Sequence, residues 1–179
     1  IRFNTEDVRI FKGRDSIGVK GITLKKNDAV ISMAIIKHVE VSTEERLAYF
    51  KMRRAITGED NGIENGEDST LVLSQERYVE LGALEEWILT ITSQGFGKRS
   101  SAHEYRRSGR GGQGITSANL ERRQDSIRAS FTVEDDDQIM LVTSTGHSIR
   151  CSVSEISRQS RSASGVKVFD TKGDENVVS

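Results

Sequence analysis

Arginine and lysine side chains interspersed with glycine are the residues of this chain best suited to chemistry, and that chemistry is phosphate binding. Five such cations fall between positions 98 and 110, where Glu104 is the single acid. They are Lys98, Arg99, Arg106, Arg107 and Arg110. The glycines of segment 109–114 leave backbone N–H groups open to a close approach by phosphate oxygens. The cluster therefore predicts a surface that neutralises a phosphate backbone without reading bases.

These cations belong to a repeat. Residues 88–115 and 139–166 match each other at an offset of 51, and residues 1–22 hold a partial further copy. We call these segments the first, second and third copies in chain order. Each ends on Arg-x-x-x-Gly followed by Val or Ile. A fixed period marks a repeat architecture in which each copy is one supersecondary unit. The recurring cations of the other copies include Arg14 and Lys20 in the first, and Arg150, Arg158 and Arg161 in the third.

Two interpretations of the recurring arginines are open. Taken singly, each is compatible with a solvated face on which it pairs with a nearby acid. Taken together, equivalent loops of a repeat lie around one rim, and their arginines form a continuous basic track. Because the same positions recur at a fixed period, we predict the track.

Catalytic, metal and nucleotide sites are not predicted. Segment 109–114 lacks the Gly-Lys-Ser/Thr ending of a nucleotide-binding loop, and a strand pattern follows it. The acidic run 134–137 lacks the alternating ligands of a calcium loop. The three histidines have no zinc-ligand spacing with Cys151, which we expect to pack as a small hydrophobe. We expect Trp87 to anchor a core.

The periodicity within each copy is that of strands, which predicts an all-β fold. Runs of residues rich in β-branched side chains end at turns, where Gly95 and Gly146 allow a hairpin to close. Short strands separated by glycine-rich turns at this period favour propeller-like blades. The predicted strands are Ile88–Thr92, Phe96–Ser101, Ser126–Val133, Ile139–Thr143, His147–Val153 and Ala29–Ile36, with further strands beginning at Ile115 and Val166.

Residues 40–86 interrupt this pattern and are predicted to be an insertion within a blade. Ser42 and Glu45 form a capping-box signature that opens a helix through about Ile56. A second helix is predicted from about Ser74 to Glu86. Between them, segment 58–69 carries five acids and no base, which is typical of a mobile loop. Leu47, Phe50, Met52 and Ile56 are the candidate packing positions of the first helix.

Length and composition place limits on the class of protein. The chain has 179 residues with a formal net charge of −1, and one cysteine fits a reducing compartment. No apolar run approaches the roughly 20 residues that span a bilayer. The sequence opens on Ile1, inside a repeat, so we expect a piece of a larger cytoplasmic protein that does not engage a membrane.

The stretch GFGKRSSAHEYRRSGRGGQGI closely resembles the blade motif of the C-terminal DNA-wrapping domain found in the gyrase A family of bacterial type IIA topoisomerases. The stretch DDDQIMLVTSTGHSIRCSVSEISRQSRSASGVKVFDT resembles the blade that follows it. The resemblance leaves out residues 40–86. It implies a β-pinwheel, with residues 1–179 forming part of one domain that holds about three blades or part-blades.

The resemblance also implies a function. Such domains bind, bend and wrap duplex DNA to support ATP-dependent negative supercoiling, and they carry no catalytic residues and no cofactor of their own. ATP and Mg²⁺ would belong to other parts of the holoenzyme. The implied partners are duplex DNA, the rest of the A-type gyrase subunit in a homodimer, and the B-type gyrase subunit in an A2B2 complex. The expected DNA-binding residues are Arg14, Lys20, Lys98, Arg99, Arg106, Arg107, Arg110, Arg150, Arg158 and Arg161.

Two alternatives remain at this point. The Gln-Arg-Arg-Gly-Gly-Lys-Gly box that distinguishes gyrase is absent from this sequence, so the related C-terminal domain of the topoisomerase IV A-type subunit is the alternative within the family. That domain selects the topology of the substrate. A propeller-like protein-interaction platform is the alternative from another class, and the acidic insertion favours it.

Overall fold

The computed structural model describes residues 1–58, 70–121 and 123–179. Six strands form two antiparallel sheets, one with the order β3-β1-β2-β6 and one made of β4 and β5. The strands are β1 (Trp87–Thr92), β2 (Phe96–Ser101), β3 (Ile127–Val133), β4 (Gln138–Val142), β5 (Ser148–Ser152) and β6 (Val166–Lys167). This architecture confirms the β-pinwheel prediction.

The second and third copies each build the predicted hairpin. Strand β1 pairs with β2 from Trp87–Ser101 onward, and β4 pairs with β5 in the equivalent register. Both turns use a glycine with positive φ, 78° at Gly95 and 86° at Gly146. At Gly95 a Cβ atom would lie 2.2 Å from the carbonyl oxygen of Phe169, so no other residue fits there. Each return strand ends in a 3₁₀ turn, Ala102–Glu104 or Val153–Glu155.

One apolar core lies under both hairpins. Leu89 and Ile91 of β1 meet Leu141 of β4, all nearly inaccessible to water. Trp87 and Cys151 pack against this cluster while remaining partly exposed, which confirms their predicted roles. Burial also raises the pKa of the Cys151 thiol.

Two predicted strands are wrong. Residues 29–36 and the segment after Ile115 form no strand, and β6 extends over only two residues. Segment 29–36 does lie beside β3, where the Ser32 hydroxyl donates to the carbonyl of Ser130 at 2.9 Å. Its apolar side chains find no second layer, since Met33 is 87 % exposed. Alternation alone does not make a strand where backbone partners are missing.

The insertion contains the two predicted helices, α1 (Thr43–Thr57) and α2 (Gln75–Ala83). The capping box at α1 forms as predicted, with Ser42 and Glu45 satisfying each other's backbone N–H groups. The helices pack through Tyr49, Phe50 and Leu81. Of the predicted packing positions, Phe50 is buried, Leu47 and Met52 are half-buried, and Ile56 is exposed. The predicted acidic loop lies almost entirely outside the described residues.

Polar contacts hold the insertion together and join it to the second copy. The Arg53 guanidinium lies 2.5 Å from the Glu85 carboxylate, which also accepts a hydrogen bond from the Tyr49 hydroxyl at 2.8 Å. Burial and the nearby carboxylate raise the pKa of Tyr49. The His103 ring packs edge-on against Tyr49, and its Nε2 lies 3.1 Å from the carbonyl of Leu81. The helices therefore sit on the 3₁₀ turn that ends the second hairpin.

A buried carboxylate fastens the turn of the third copy. Glu175 accepts hydrogen bonds from the hydroxyls of Thr143 and Thr145, from the backbone N–H of Lys172 and from the His147 ring. These donors, led by Thr143, lower the pKa of Glu175 to about 2.

The low pKa of Glu175 predicts a pH dependence of stability. The folded carboxylate keeps its charge below the ordinary value of 4.5, so its contribution is complete above about 4.5 and is lost as the pH falls toward 2. We expect Glu175→Gln to lower the free energy of unfolding at neutral pH and to flatten its profile in that acidic window. Urea unfolding across pH measures both effects, with Glu121→Gln, an exposed site, as the control. Parallel profiles for wild type and Glu175→Gln would contradict this assignment.

Within the described residues, no helix combines the length and apolarity needed to cross a membrane.

Candidate nucleic-acid interface

In the first and second copies, one recurring arginine acts as a clamp on the next copy. Arg99 donates from Nε to the carbonyl of Ile156 at 2.6 Å and from a terminal nitrogen to that of Ser154 at 3.2 Å. Arg2, its equivalent in the first copy, donates to the carbonyls of Ala102 and Tyr105 at 3.0 and 3.1 Å. Each of these two guanidinium groups therefore binds carbonyls at the 3₁₀ turn of the next copy.

The backbone repeats this coupling. Arg2 forms an isolated parallel bridge with Arg107, and Arg99 forms the equivalent bridge with Arg158. The carbonyl of Arg2 accepts a hydrogen bond from the N–H of Ser108, the residue after Arg107, at 2.9 Å. The carbonyl of Arg99 accepts one from the N–H of Gln159, the residue after Arg158, at the same distance. Neighbouring copies are thus joined by a parallel β-bridge as well as by the guanidinium groups.

Lys98 and Arg99 are corrected as DNA-binding candidates, because both side chains are almost completely buried, at 1 % and 5 % exposed. The Lys98 ammonium donates to the carbonyls of Ser160 and Arg161. Burial lowers the pKa of Lys98 to about 8, opposed by the nearby Glu104 carboxylate. The Glu104 carboxylate in turn accepts the Arg161 backbone N–H at 2.5 Å, while burial raises its pKa. These groups position the arginine-bearing loop of the third copy.

Arg110 and Arg161 form a second recurring contact. Arg110 donates to the carbonyl of Lys20 at 2.7 Å, and Arg161 donates to the carbonyl of Thr116, which is the equivalent position one copy later. Each contact uses one guanidinium nitrogen and leaves other N–H groups available. The Arg110 side chain stays exposed, and Arg161 is half-buried.

A patch of exposed cations results where the first and second copies meet. Arg110 lies next to Lys20, because its guanidinium donates to the Lys20 carbonyl. Arg106 and Arg107 precede Arg110 on the same loop and are also exposed. The Gly111 N–H donates to the carbonyl of Gly21 at 2.7 Å and fixes the glycine-rich loop against the first copy. We call Lys20, Arg106, Arg107 and Arg110 the basic edge.

The remaining candidates differ in their surroundings. Arg14 and Arg150 are exposed, and neither guanidinium group has a hydrogen-bond partner within the described part of the chain. Arg150 is the third-copy equivalent of the clamps. Arg158 is partly exposed, pairs with Asp135 at 2.5 Å and stacks over the Trp87 ring at 4.5 Å. Its pairing makes it a weaker phosphate ligand than the residues of the basic edge.

Sequence reasoning missed three further cations. Arg123 and Lys167 lie over the Phe96 ring at 3.7 and 4.8 Å. Arg46 of α1 lines a cleft beside the basic edge. Arg46 and Arg123 lie outside the recurring positions, so the repeat held no signal for them, whereas Lys167 is the third-copy equivalent of Lys20 and could have been found from the recurrence.

The chemistry of this surface is electrostatic. Exposed guanidinium and ammonium groups at the basic edge attract phosphate, and arginine can hold it through two N–H groups at once. The described residues contain no cluster of His, Cys, Asp or Glu that could hold a metal ion.

Comparison with known proteins identifies the family of this chain. A sequence model of the family described as "DNA gyrase C-terminal domain, beta-propeller" matches residues 1–37, 86–134 and 137–179. The unmatched residues between the first two ranges contain both helices of the insertion.

Individual relatives are similar along the whole chain. The DNA gyrase A-type subunit of Granulibacter bethesdensis is 43 % identical over an alignment that covers 100 % of this chain and 21 % of that protein. The corresponding gyrase protein of Rickettsia bellii is 38 % identical and is covered to 20 %. The chain therefore spans about a fifth of the length of these relatives.

A solved structure described as "Structure of DNA gyrase A C-terminal domain" superposes with a TM-score of 0.50 at 26 % identity. The match covers 53 % of this chain and 32 % of that one. Together with the recurring hairpins, these matches show that the chain belongs to the DNA gyrase C-terminal domain family, whose fold is a β-propeller.

Proposed function

We propose that this chain binds duplex DNA along the basic edge without sequence preference and wraps it to support negative supercoiling by a gyrase. The observation that carries the proposal is the junction of the first and second copies. There the hydrogen bond between Arg110 and the Lys20 carbonyl brings cations of two copies into one exposed patch. A duplex laid over several such junctions would follow their curvature and bend.

The clamps support this proposal. Arg2 and Arg99 fix the angle between neighbouring copies, so the spacing of successive cationic patches is set by the folded protein. Binding energy is then available to bend DNA, since little of it is needed to order the surface.

The remainder of the proposal concerns the whole protein. The chain would be part of one C-terminal β-pinwheel over residues 1–179, with residues 40–86 as an insertion in a blade. Strand cleavage and ATP hydrolysis with Mg²⁺ would take place on other domains and on the B-type gyrase subunit, in a cytoplasmic A2B2 complex. The names of the relatives favour gyrase over topoisomerase IV.

A topology assay tests this function. The full-length protein, supplied with ATP and its partner subunit, is expected to introduce negative supercoils into relaxed circular DNA. Removal of residues 1–179 is expected to abolish supercoiling while ATP-dependent relaxation persists, because only wrapping fixes the direction of strand passage. Supercoiling at the wild-type rate after this removal would contradict the proposal. Decatenation without supercoiling by the intact enzyme would support the topoisomerase IV alternative.

A further inference from the structure

A cleft of about 670 Å³ separates the first turn of α1 from the loop that carries Arg106 and Arg107. One wall belongs to the insertion and the other to the second copy, so neither part forms the cleft alone. Residues 38–43 of the chain also line it.

The lining of this cleft is strongly cationic. Five arginines line it against two carboxylates, those of Glu40 and Glu45. The Glu45 carboxylate is already satisfied, because it accepts from Arg77 at 3.0 Å and from the Ser42 backbone N–H at 3.0 Å. Glu40 points into water, with its side chain 90 % exposed. The acids therefore offset only part of the positive charge.

The five arginines divide into occupied and available groups. Arg2 is engaged by the carbonyls of Ala102 and Tyr105, and Arg77 binds Glu45, Glu80 and the Glu40 carbonyl. Within the described residues, no hydrogen bond or ion pair engages the guanidinium groups of Arg46 and Arg106. The exposed Arg107 guanidinium makes two contacts, at 3.5 Å to the Asn4 side-chain oxygen and at 3.2 Å to Nε2 of His38.

Local structure holds Arg46 in this position. It follows the capping-box residue Glu45 in the first turn of α1, and its N–H bonds the Ser42 carbonyl at 3.0 Å. The Arg77–Glu45 pair joins α2 to the same turn at 3.0 Å. Arg46 is half-buried, so its side chain samples fewer orientations than a fully exposed arginine.

We propose that this cleft holds a backbone phosphate of duplex DNA between Arg46 of the insertion and Arg106 and Arg107 of the basic edge. The insertion would then extend the DNA-binding surface, although its sequence between the two helices is acidic. The proposal rests on the proposed function, because it assigns one more phosphate contact to the same interface. It also gives residues 40–86 a role that the repeat does not supply.

Arg46→Gln tests the proposal, with duplex affinity measured over a series of salt concentrations. Loss of one phosphate contact is expected to reduce the slope of log K against log salt by about 0.9 and to weaken binding about fivefold at low salt. Arg46→Lys keeps the charge and is expected to retain most of the slope. Lys172→Gln removes an equal charge at an exposed site outside the cleft and is the matched control.

The outcomes separate the two proposals. A wild-type chain that does not bind duplex DNA overturns the proposed function and this inference with it. Normal wild-type binding with equal slopes for Arg46→Gln and Lys172→Gln overturns the cleft assignment alone. A titration with inorganic phosphate at constant ionic strength tests whether the cleft binds free phosphate instead of a phosphate of the DNA backbone. If Arg46→Gln weakens binding of inorganic phosphate while duplex affinity is unchanged, the DNA assignment is overturned.

Discussion

Replacing Lys20, Arg106 and Arg107 together by glutamine is expected to weaken duplex binding roughly a hundredfold at low salt. Each exposed cation within reach of a phosphate contributes about 1 kcal/mol in water, so three lost contacts raise the dissociation constant by about two orders of magnitude. All three side chains are exposed, and within the described residues their charged groups make one contact with a neighbouring copy, from Arg107 to the Asn4 side chain at 3.5 Å. A gel shift or fluorescence titration with a random-sequence duplex measures the effect.

The matched control is the triple replacement of Lys26, Arg128 and Lys172 by glutamine. These cations are also exposed, and the net charge changes by the same amount. We expect this control to weaken binding by no more than a few-fold, through the loss of long-range attraction. Equal dissociation constants for the two triple variants would mean that the basic edge has no special part in binding.

Replacing Arg99 by methionine is expected to destabilise the fold by about 3 kcal/mol. The change leaves the buried carbonyl of Ile156 without its donor, and an unsatisfied buried polar group costs about 1–3 kcal/mol. The lost hydrogen bond to the more exposed carbonyl of Ser154 adds about 1 kcal/mol. Asp135 also loses a partner, but its side chain is 55 % exposed and water compensates it. Urea unfolding measures the loss.

Arg150→Met provides a control at the equivalent position of the third copy. Its side chain is exposed, so the same substitution is expected to change the free energy of unfolding by less than about 0.5 kcal/mol. A similar loss for Arg99→Met and Arg150→Met would show that the clamp contacts contribute nothing particular to stability.

The hairpins were predictable because local sequence determines them. Gly95 and Gly146 have positive φ at the turns, and β-branched residues precede both. The capping box at Ser42 and Glu45 located the start of α1 for the same reason: its contacts lie within one turn of the chain. Segment 29–36 shows the limit, because its alternation is correct for a strand but its backbone lacks partners.

The roles of the arginines were only partly predictable. Recurrence at a fixed period identified Arg99, Arg107 and Arg110 equally, and it could not distinguish a clamp from a surface cation. That difference depends on the 3₁₀ turn of the next copy, which buries Arg99 and leaves Arg107 exposed. Lys98 was misassigned because its carbonyl partners lie 62 and 63 positions away. Recurrence therefore identifies residues that repeat in the fold, and these include residues that join neighbouring copies as well as surface cations.

The most direct test of DNA-backbone recognition is the salt dependence of binding by the unmodified chain, measured with two duplexes of unrelated sequence. We predict a linear fall of log K with log salt and a slope of about −3 or steeper, since the basic edge alone offers several phosphate contacts at about 0.9 each. We also predict the same slope and affinity for both duplexes. A slope near zero, or binding to only one of the two sequences, would contradict recognition through the DNA backbone.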